Sequence, residues 1–416
     1  MLIVELIHCI SLSGEIMISA LRYRPAIQAF LISVAACMVL VIGMGYGRFA
    51  FTGVMPVMLH ENVLSLSAGN LAASANYAGY LLGALLLSKV RPTDARHLCF
   101  GSVFATLICM VFLAWLRSPV AIIVVRGVAG ICSAVSLISA SLWLLQHMKH
   151  AHGAPLMYSG VGLGIFISAE FISLGKALSL SSHSIWMICS LSAALFFLII
   201  SRLLNSPPEM LTNYRSPSVM GRAGGEVTRA AAFRLLIVYA LAGFGYIITA
   251  TYLPLFLSGS LSGIDPVQVW AVFGLAAVPS CFFWHRLVLR CGYRISLILN
   301  MLIQAVGVIL PAFSSSLVSC VASALLVGFT FMGTVTIALP EARRLADSVS
   351  FNMIAAMTAT YGIGQIAGPL AAGALYSSSG SFTPSLIAAS LSLLIAIAII
   401  LSDAGENRMN KEKHHE

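Results

Sequence analysis

The chain has 416 residues, of which 59% are apolar and only 9% charged, with a formal net charge of +9. A soluble globular domain carries about 25% charged residues, so a water-soluble fold is excluded and the bilayer is the solvent to reason with. At roughly 20 residues per span plus short loops, the length accommodates about a dozen membrane helices.

Residues 1–25 read as an N-terminal cytoplasmic segment. Its apolar run is interrupted by Glu5, His8 and Glu15 and ends in no small-residue cleavage site, so no signal peptide is expected, and Met17 is an alternative start. Six apolar spans follow, at 26–59, 70–88, 98–116, 119–147, 155–180 and 185–204. The first contains Gly43-x-Gly45-x-Gly47, which has no strand before it and is expected to loosen helix one, not to cradle a nucleotide. Gly79 and Gly83 in the second are a small-xxx-small pair that lets helices approach closely. His147, Lys149, His150 and His152 after the fourth read as a basic loop; neither carboxylate nor cysteine completes a metal site there.

The polar stretch 205–231, with Pro207, Pro208, Pro217, Gly221, Gly224 and Gly225, reads as a cytoplasmic linker. Six more spans are predicted at 232–258, 267–286, 293–313, 317–342, 351–377 and 382–402, before a tail at 403–416. Gly160-Val161-Gly162 in the fifth span resembles Gly362-Ile363-Gly364 in the eleventh, the weak internal symmetry of duplicated transporter halves. The predicted fold is therefore an all-α membrane protein. It has twelve transmembrane helices in two pseudo-symmetric six-helix bundles, 26–204 and 232–402. Helices three, six and twelve are uniformly apolar and should face lipid. Helices one, two, four, five, seven, ten and eleven carry the glycines, arginines, tyrosines and amides and should face a central cavity.

All but Arg48, Arg117, Arg126 and Lys176 of the 23 lysines and arginines fall on one side of this arrangement, the side that also holds both termini. The positive-inside rule makes that side the cytoplasm, which predicts a multi-pass protein of a bacterial-type inner membrane and explains the basic charge without nucleic acid. The nine cysteines are scattered singly, mostly within apolar runs, so they imply no disulfide framework.

Arg48, Arg126 and Glu170 are the charges deepest within predicted spans, where each costs at least ~2.5 to 3.5 kcal/mol on insertion scales. Counted from the helix ends, all three fall in one slab roughly 10 to 17 Å below the outer surface. Two arginines and one carboxylate leave about one positive charge, and a guanidinium fork suits a carboxylate or phosphate, so a small anionic substrate is expected. The structural alternative pairs Arg126 with Glu170 to join helices four and five and bonds Arg48 to carbonyls of a loosened helix one. Glu170 is the candidate proton-coupling group, with Arg126, because burial raises and an arginine lowers a carboxylate pKa. Asn76 and Tyr80, and likewise Tyr361 and Gln365, are four apart and share a helix face; with Tyr246 they are candidate substrate-binding groups, interhelical hydrogen bonding being the alternative. Thr249 and Tyr252 carry the same two readings.

Several segments resemble the YbfB/YjiJ-like branch of the major facilitator superfamily. The likeness is carried by Gly45-Tyr46-Gly47-Arg48-Phe49-Ala50, by Ala73-Ser74-Ala75-Asn76-Tyr77-Ala78-Gly79-Tyr80-Leu81-Leu82-Gly83, and by Gly243-Phe244-Gly245-Tyr246 with Ala250-Thr251-Tyr252-Leu253-Pro254. It continues through Thr330-Phe331-Met332-Gly333 and Tyr361-Gly362-x-Gly364-Gln365-Ile366-x-Gly368-Pro369. Arg126-x-x-x-Gly130-x-x-x-Ala134 is similar to a helix-four pattern of the superfamily whose arginine is linked with proton transfer in exporters. The usual loop between helices two and three is reduced to Lys89-Val90-Arg91-Pro92, while Arg290-Cys291-Gly292-Tyr293-Arg294 keeps more of it. The antiporter Gly-Pro pattern is absent from helix five, although Gly364-x-x-x-Gly368-Pro369 resembles it on helix eleven.

The resemblance implies a secondary active transporter working by alternating access, possible proton coupling included, and no enzyme or cofactor. A rival within transport is an exporter of amphipathic cations, with Phe51, Trp143 and Trp270 as stacking surface and Glu170 as counter-charge. Outside transport, a membrane ligand sensor needs a partner surface that the short tail hardly offers. A membrane enzyme needs a nucleophile or metal set, and no hydrolase, metalloprotease or P-loop motif occurs.

Overall fold

The computed structural model describes residues 25–87, 90–204, 228–257, 265–351 and 353–413. The expected N-terminal segment up to residue 24 and nearly all of the linker lie outside them. Among the described residues the regular structure is entirely helical. Helix α1 runs through Pro25–Leu40, a π-helical stretch Val41–Phe49, and Ala50–His60. It is followed by α2 (Leu66–Leu86), α3 (Ala95–Trp115), α4 (Pro119–Leu142, with a π turn Trp143–His147), α5 (Ala154–Ala177) and α6 (Ser182–Leu203). Then come α7 (Arg229–Leu257), α8 (Pro266–Phe313), α9 (Leu317–Leu345), α10 (Met353–Ser379) and α11 (Thr383–Lys413).

Several starts have local causes. Ser65, Asp265 and Ser316 accept the backbone N–H of Ala68, Val267 and Ser319 and so cap α2, α8 and α9. Pro119 and Pro266 occupy first-turn positions, where a missing N–H costs nothing. The long α8 is interrupted at Gly292, whose φ of 78° is a left-handed value that a side chain would resist. At its end α11 continues to Lys413, past the predicted limit at 402.

Nine of these helices are long and apolar enough to cross a membrane. The two that fall short, α2 and α10, are diluted by Ser, Asn, Tyr, Gly and Gln and lie against other helices instead of carrying a wholly apolar surface. Their backbones sit close to neighbours. A Cβ on Gly130 of α4 would stand 2.0 Å from the Asn76 carbonyl oxygen of α2, and one on Gly364 of α10 would stand 2.2 Å from the Ala240 carbonyl oxygen of α7. Leu191, Leu195, Leu198 and Ile199 of α6, and Leu391, Leu394 and Ile395 of α11, are exposed on the outside of the molecule. That is the distribution a lipid-facing surface requires.

Candidate functional site

Glycines make the centre of α1 wide and close to its neighbours. A Cβ on Gly45 would sit 2.4 Å from the Gly164 Cα of α5, and one on Gly43 would sit 2.2 Å from the Ser136 Oγ of α4. In the π-helical turns the backbone bonds shift by one residue, as from the Ala50 N–H to the Gly45 carbonyl, and such bulges recur at functional sites. One face of α4 supplies side-chain donors to these turns. Ser133 Oγ donates to the Gly43 carbonyl at 2.6 Å, while Arg126 donates from Nη1 to the Gly47 carbonyl at 2.9 Å and from Nη2 to the Arg48 carbonyl at 3.0 Å. The Arg126 guanidinium also lies 4.4 Å from the centre of the Phe51 ring. Asn76 of α2 donates to the backbone carbonyl of Arg126 itself at 2.9 Å.

Arg48 points the other way, across the molecule. Its Nη2 donates to Gln365 Oε1 of α10 at 2.7 Å, and the Gln365 amide nitrogen donates on to the Tyr246 hydroxyl of α7. The guanidinium carbon stands 4.2 Å from the Tyr80 ring centre, 4.9 Å from Tyr77 and 5.4 Å from Phe49. Cation–π contacts of this kind replace part of the lost hydration. Tyr246 in turn stacks on Phe331 of α9 and on Tyr361 of α10, with ring centres 5.5 and 5.7 Å away. Both arginines are buried, at 3% and 2% exposure, and neither has a carboxylate partner among the described residues. The Nε of each is buried without a hydrogen-bond partner.

Arg48, Arg126, Asn76, Tyr80, Tyr246, Tyr361 and Gln365 are thus brought into one connected cluster. Glu170 is not. It is exposed on α5, and its Oε2 accepts a long, 3.5 Å bond from Gln268 of α8, so the expected pair with Arg126 is not made. The alternative in which Arg48 bonds the carbonyls of helix one is not met either: Arg126 does so, entering from α4 beside the widened turns. Tyr252 donates to Asn70 Oδ1 at 2.8 Å, an interhelical bond, while the Thr249 hydroxyl is buried without a partner. Tyr77, not singled out as a site residue from sequence, lies against Arg48 and bonds Thr251 at 3.1 Å; its i,i+3 relation to Tyr80 was the available signal.

The end of the bundle that carries the α1–α2 turn, called distal here, ties the first six helices to the later ones. Lys176 of α5 forms an ion pair with Asp265 at the start of α8, and Gln268 donates to Ser173 at 2.9 Å. At the opposite, proximal end, burial pushes the His150 imidazole below its ordinary pKa, helped by the nearby His152. Among the described residues no cluster of His, Cys, Asp and Glu suited to a metal ion is present. The family model described as an uncharacterised MFS-type transporter, YbfB, matches residues 40–401. No curated protein matches the chain.

Proposed function

Because the chain belongs to this YbfB family of major facilitator transporters, we propose that it is a secondary active transporter of a small organic anion held by Arg48. The observation that carries the reading is a pair of buried guanidinium groups without a carboxylate between them. A charge at this depth costs at least ~2.5 to 3.5 kcal/mol, and an incoming anion offsets it with charge-assisted hydrogen bonds. A cation would meet two like charges and no counter-charge, since Glu170 lies outside the cluster and Phe51 is already covered by Arg126. Trp143, another surface of the cation reading, is on α4 about 25 Å further along the axis than Arg126.

The fold in this proposal has twelve spans, α8 counting as two across Gly292, arranged as bundles 26–204 and 232–402. Repeated contacts support it. Gly160 of α5 meets the Cys37 carbonyl of α1 as Gly364 of α10 meets the Ala240 carbonyl of α7, the partners being about 200 positions apart, as a duplication predicts. Gly130 against Asn76 and Gly328 against Phe273 repeat the same relation between α4 and α2, and between α9 and α8. By the positive-inside rule the proximal end is cytoplasmic, together with both termini, in a bacterial-type inner membrane. The Arg48–Gln365 bond links the two bundles and must break in each cycle as they rock about the site. Proton coupling remains part of the proposal through Arg126, but Glu170 lacks the burial and the arginine neighbour that its expected role required.

The test is the thermal stability of the detergent-purified protein with a panel of organic anions and cations, comparing the wild type with Arg48→Ala. A ligand at about a hundred times its dissociation constant adds ~2.7 kcal/mol. Anion-selective stabilisation that disappears in Arg48→Ala is expected. Cation-selective stabilisation indifferent to Arg48 would overturn the reading in favour of an amphipathic-cation exporter.

A further inference from the structure

Resting on the anion reading above, we propose that the site takes a monocarboxylate bearing a flat aromatic ring, its carboxylate replacing the Gln365 amide oxygen on Arg48. Charge sets the number of carboxylates. Arg126 has both Nη atoms engaged by the Gly47 and Arg48 carbonyls, which leaves Arg48 as the one guanidinium free to change partners. Among the described residues its one hydrogen bond as a side chain is to a neutral amide oxygen at 2.7 Å, and its Nε is buried without one. A carboxylate is the stronger acceptor for a guanidinium and can engage two of its N–H groups at once. Gln365 Oε1 therefore marks where one carboxylate oxygen belongs, and a second carboxylate on the same ligand would find no fork.

The surroundings of the fork set the rest of the ligand. Three ring centres lie within 5.4 Å of the Arg48 guanidinium carbon. On the far side of Gln365, the Tyr246 and Phe331 rings stack almost parallel, 17° apart, and Phe331 lies 5.1 Å from Phe273. Phe49 of α1 meets Phe331 edge-on at 6.1 Å, so aromatic contacts cross between the first helices and the later ones beside the charge. When the bundles separate, Phe49 loses its contacts with Phe331 and Trp270, and the exposed edge of the later group, Tyr246, Phe331 and Phe273, is left uncovered. A flat ring whose carboxylate sits on Arg48 restores face or edge contacts, whereas a puckered ring of equal size restores only apolar area. Trp270 adds a buried indole N–H without a partner in the same aromatic group, 4.6 Å from Phe273.

The experiment titrates the full-length wild-type protein in detergent with benzoate, cyclohexanecarboxylate, terephthalate and benzylamine, following thermal stability. Benzoate is expected to bind about fivefold more tightly than cyclohexanecarboxylate, terephthalate more weakly than benzoate, and benzylamine not at all. In Phe331→Leu the affinities of the two monoacids should converge. Equal stabilisation of the wild type by benzoate and cyclohexanecarboxylate overturns the aromatic inference and leaves the anion reading standing. Tighter terephthalate overturns the single fork, and stabilisation by benzylamine alone overturns both readings. Silence from all four compounds overturns the proposed ligand class, while a response elsewhere in the broader anion panel would preserve the anion site.

Discussion

Arg48 and Arg126 carry like charges into the same buried cluster, yet they are held by different partners, and the difference predicts different variants. Arg126 satisfies two main-chain carbonyls of the π-helical turn. Arg126→Ala removes the charge-assisted donor from both at ~1.5 to 3 kcal/mol each, so its melting temperature should fall below that of Arg48→Ala, which loses one hydrogen bond to a neutral amide and its exchangeable ring contacts. Equal melting of the two variants would show that Arg126 does not hold the turn together. Arg48→Lys, by contrast, should fold and lose most of its stabilisation by ligand, because an ammonium cannot reproduce the fork. An undiminished ligand shift in that variant removes Arg48 from the binding site. The arginines were legible in the sequence because a charge inside an apolar run is conspicuous whatever its direction. The position of Glu170 was not, since hydropathy gives depth along a helix but not which way around the helix a side chain points.

At the scale of the helix, glycines decide how closely backbones approach, and their surroundings separate the essential from the replaceable. A Cβ on Gly79 would lie 1.9 Å from the Gly127 carbonyl oxygen and one on Gly130 would lie 2.0 Å from that of Asn76, so α2 and α4 must part to admit either. Gly101 of α3 has nothing within 4 Å of its Cβ position. Gly130→Ala should therefore lower the unfolding midpoint and the yield of folded protein. Gly101→Ala should be neutral or stabilising by up to ~1 kcal/mol, because alanine is the better helix former. A Gly130→Ala protein as stable as the wild type would mean that α2 and α4 are not in backbone contact. Most helix limits were legible to within a few residues, because the apolar runs are long and bounded by Ser, Asp, Gly and Pro. The join across Gly292 was read as a loop between two spans, and the helical dihedrals on either side of one left-handed glycine leave no run of turn residues to mark it. The π form of α1 was foreshadowed by its three alternating glycines only as looseness; the register depends on Arg126 and Ser133 of another helix.

For the molecule as a whole, rocking bundles require contacts at the two ends to form and break in alternation, and here the distal contacts are made. Lys176 with Asp265, Gln268 with Ser173, and Tyr252 with Asn70 all join the first six helices to the later ones. The ion-paired side chains are 29% and 20% exposed, so solvent screens the pair and its own contribution is about 0 to 1 kcal/mol. Lys176→Ala alone should therefore shift the balance between the two openings by no more than about fivefold. A covalent tie has no such ceiling. Cysteines placed at 176 and 265 in a Cys291→Ser background, joined by a short cleavable thiol cross-linker, should stop transport and release it on cleavage. Cys291 is the exposed one among the described cysteines and the others are buried, so with Cys9, which lies outside the described residues, also replaced by serine, the reaction is kept to the introduced pair. Under alternating access, ligand stabilisation should survive the cross-link, because holding the distal end shut leaves the opposite opening free to form. Transport that continues through the cross-link would mean that α5 and α8 need not separate there, and the cycle would then have to open along α2 and α10 instead, where Tyr252 also bonds the Pro369 carbonyl.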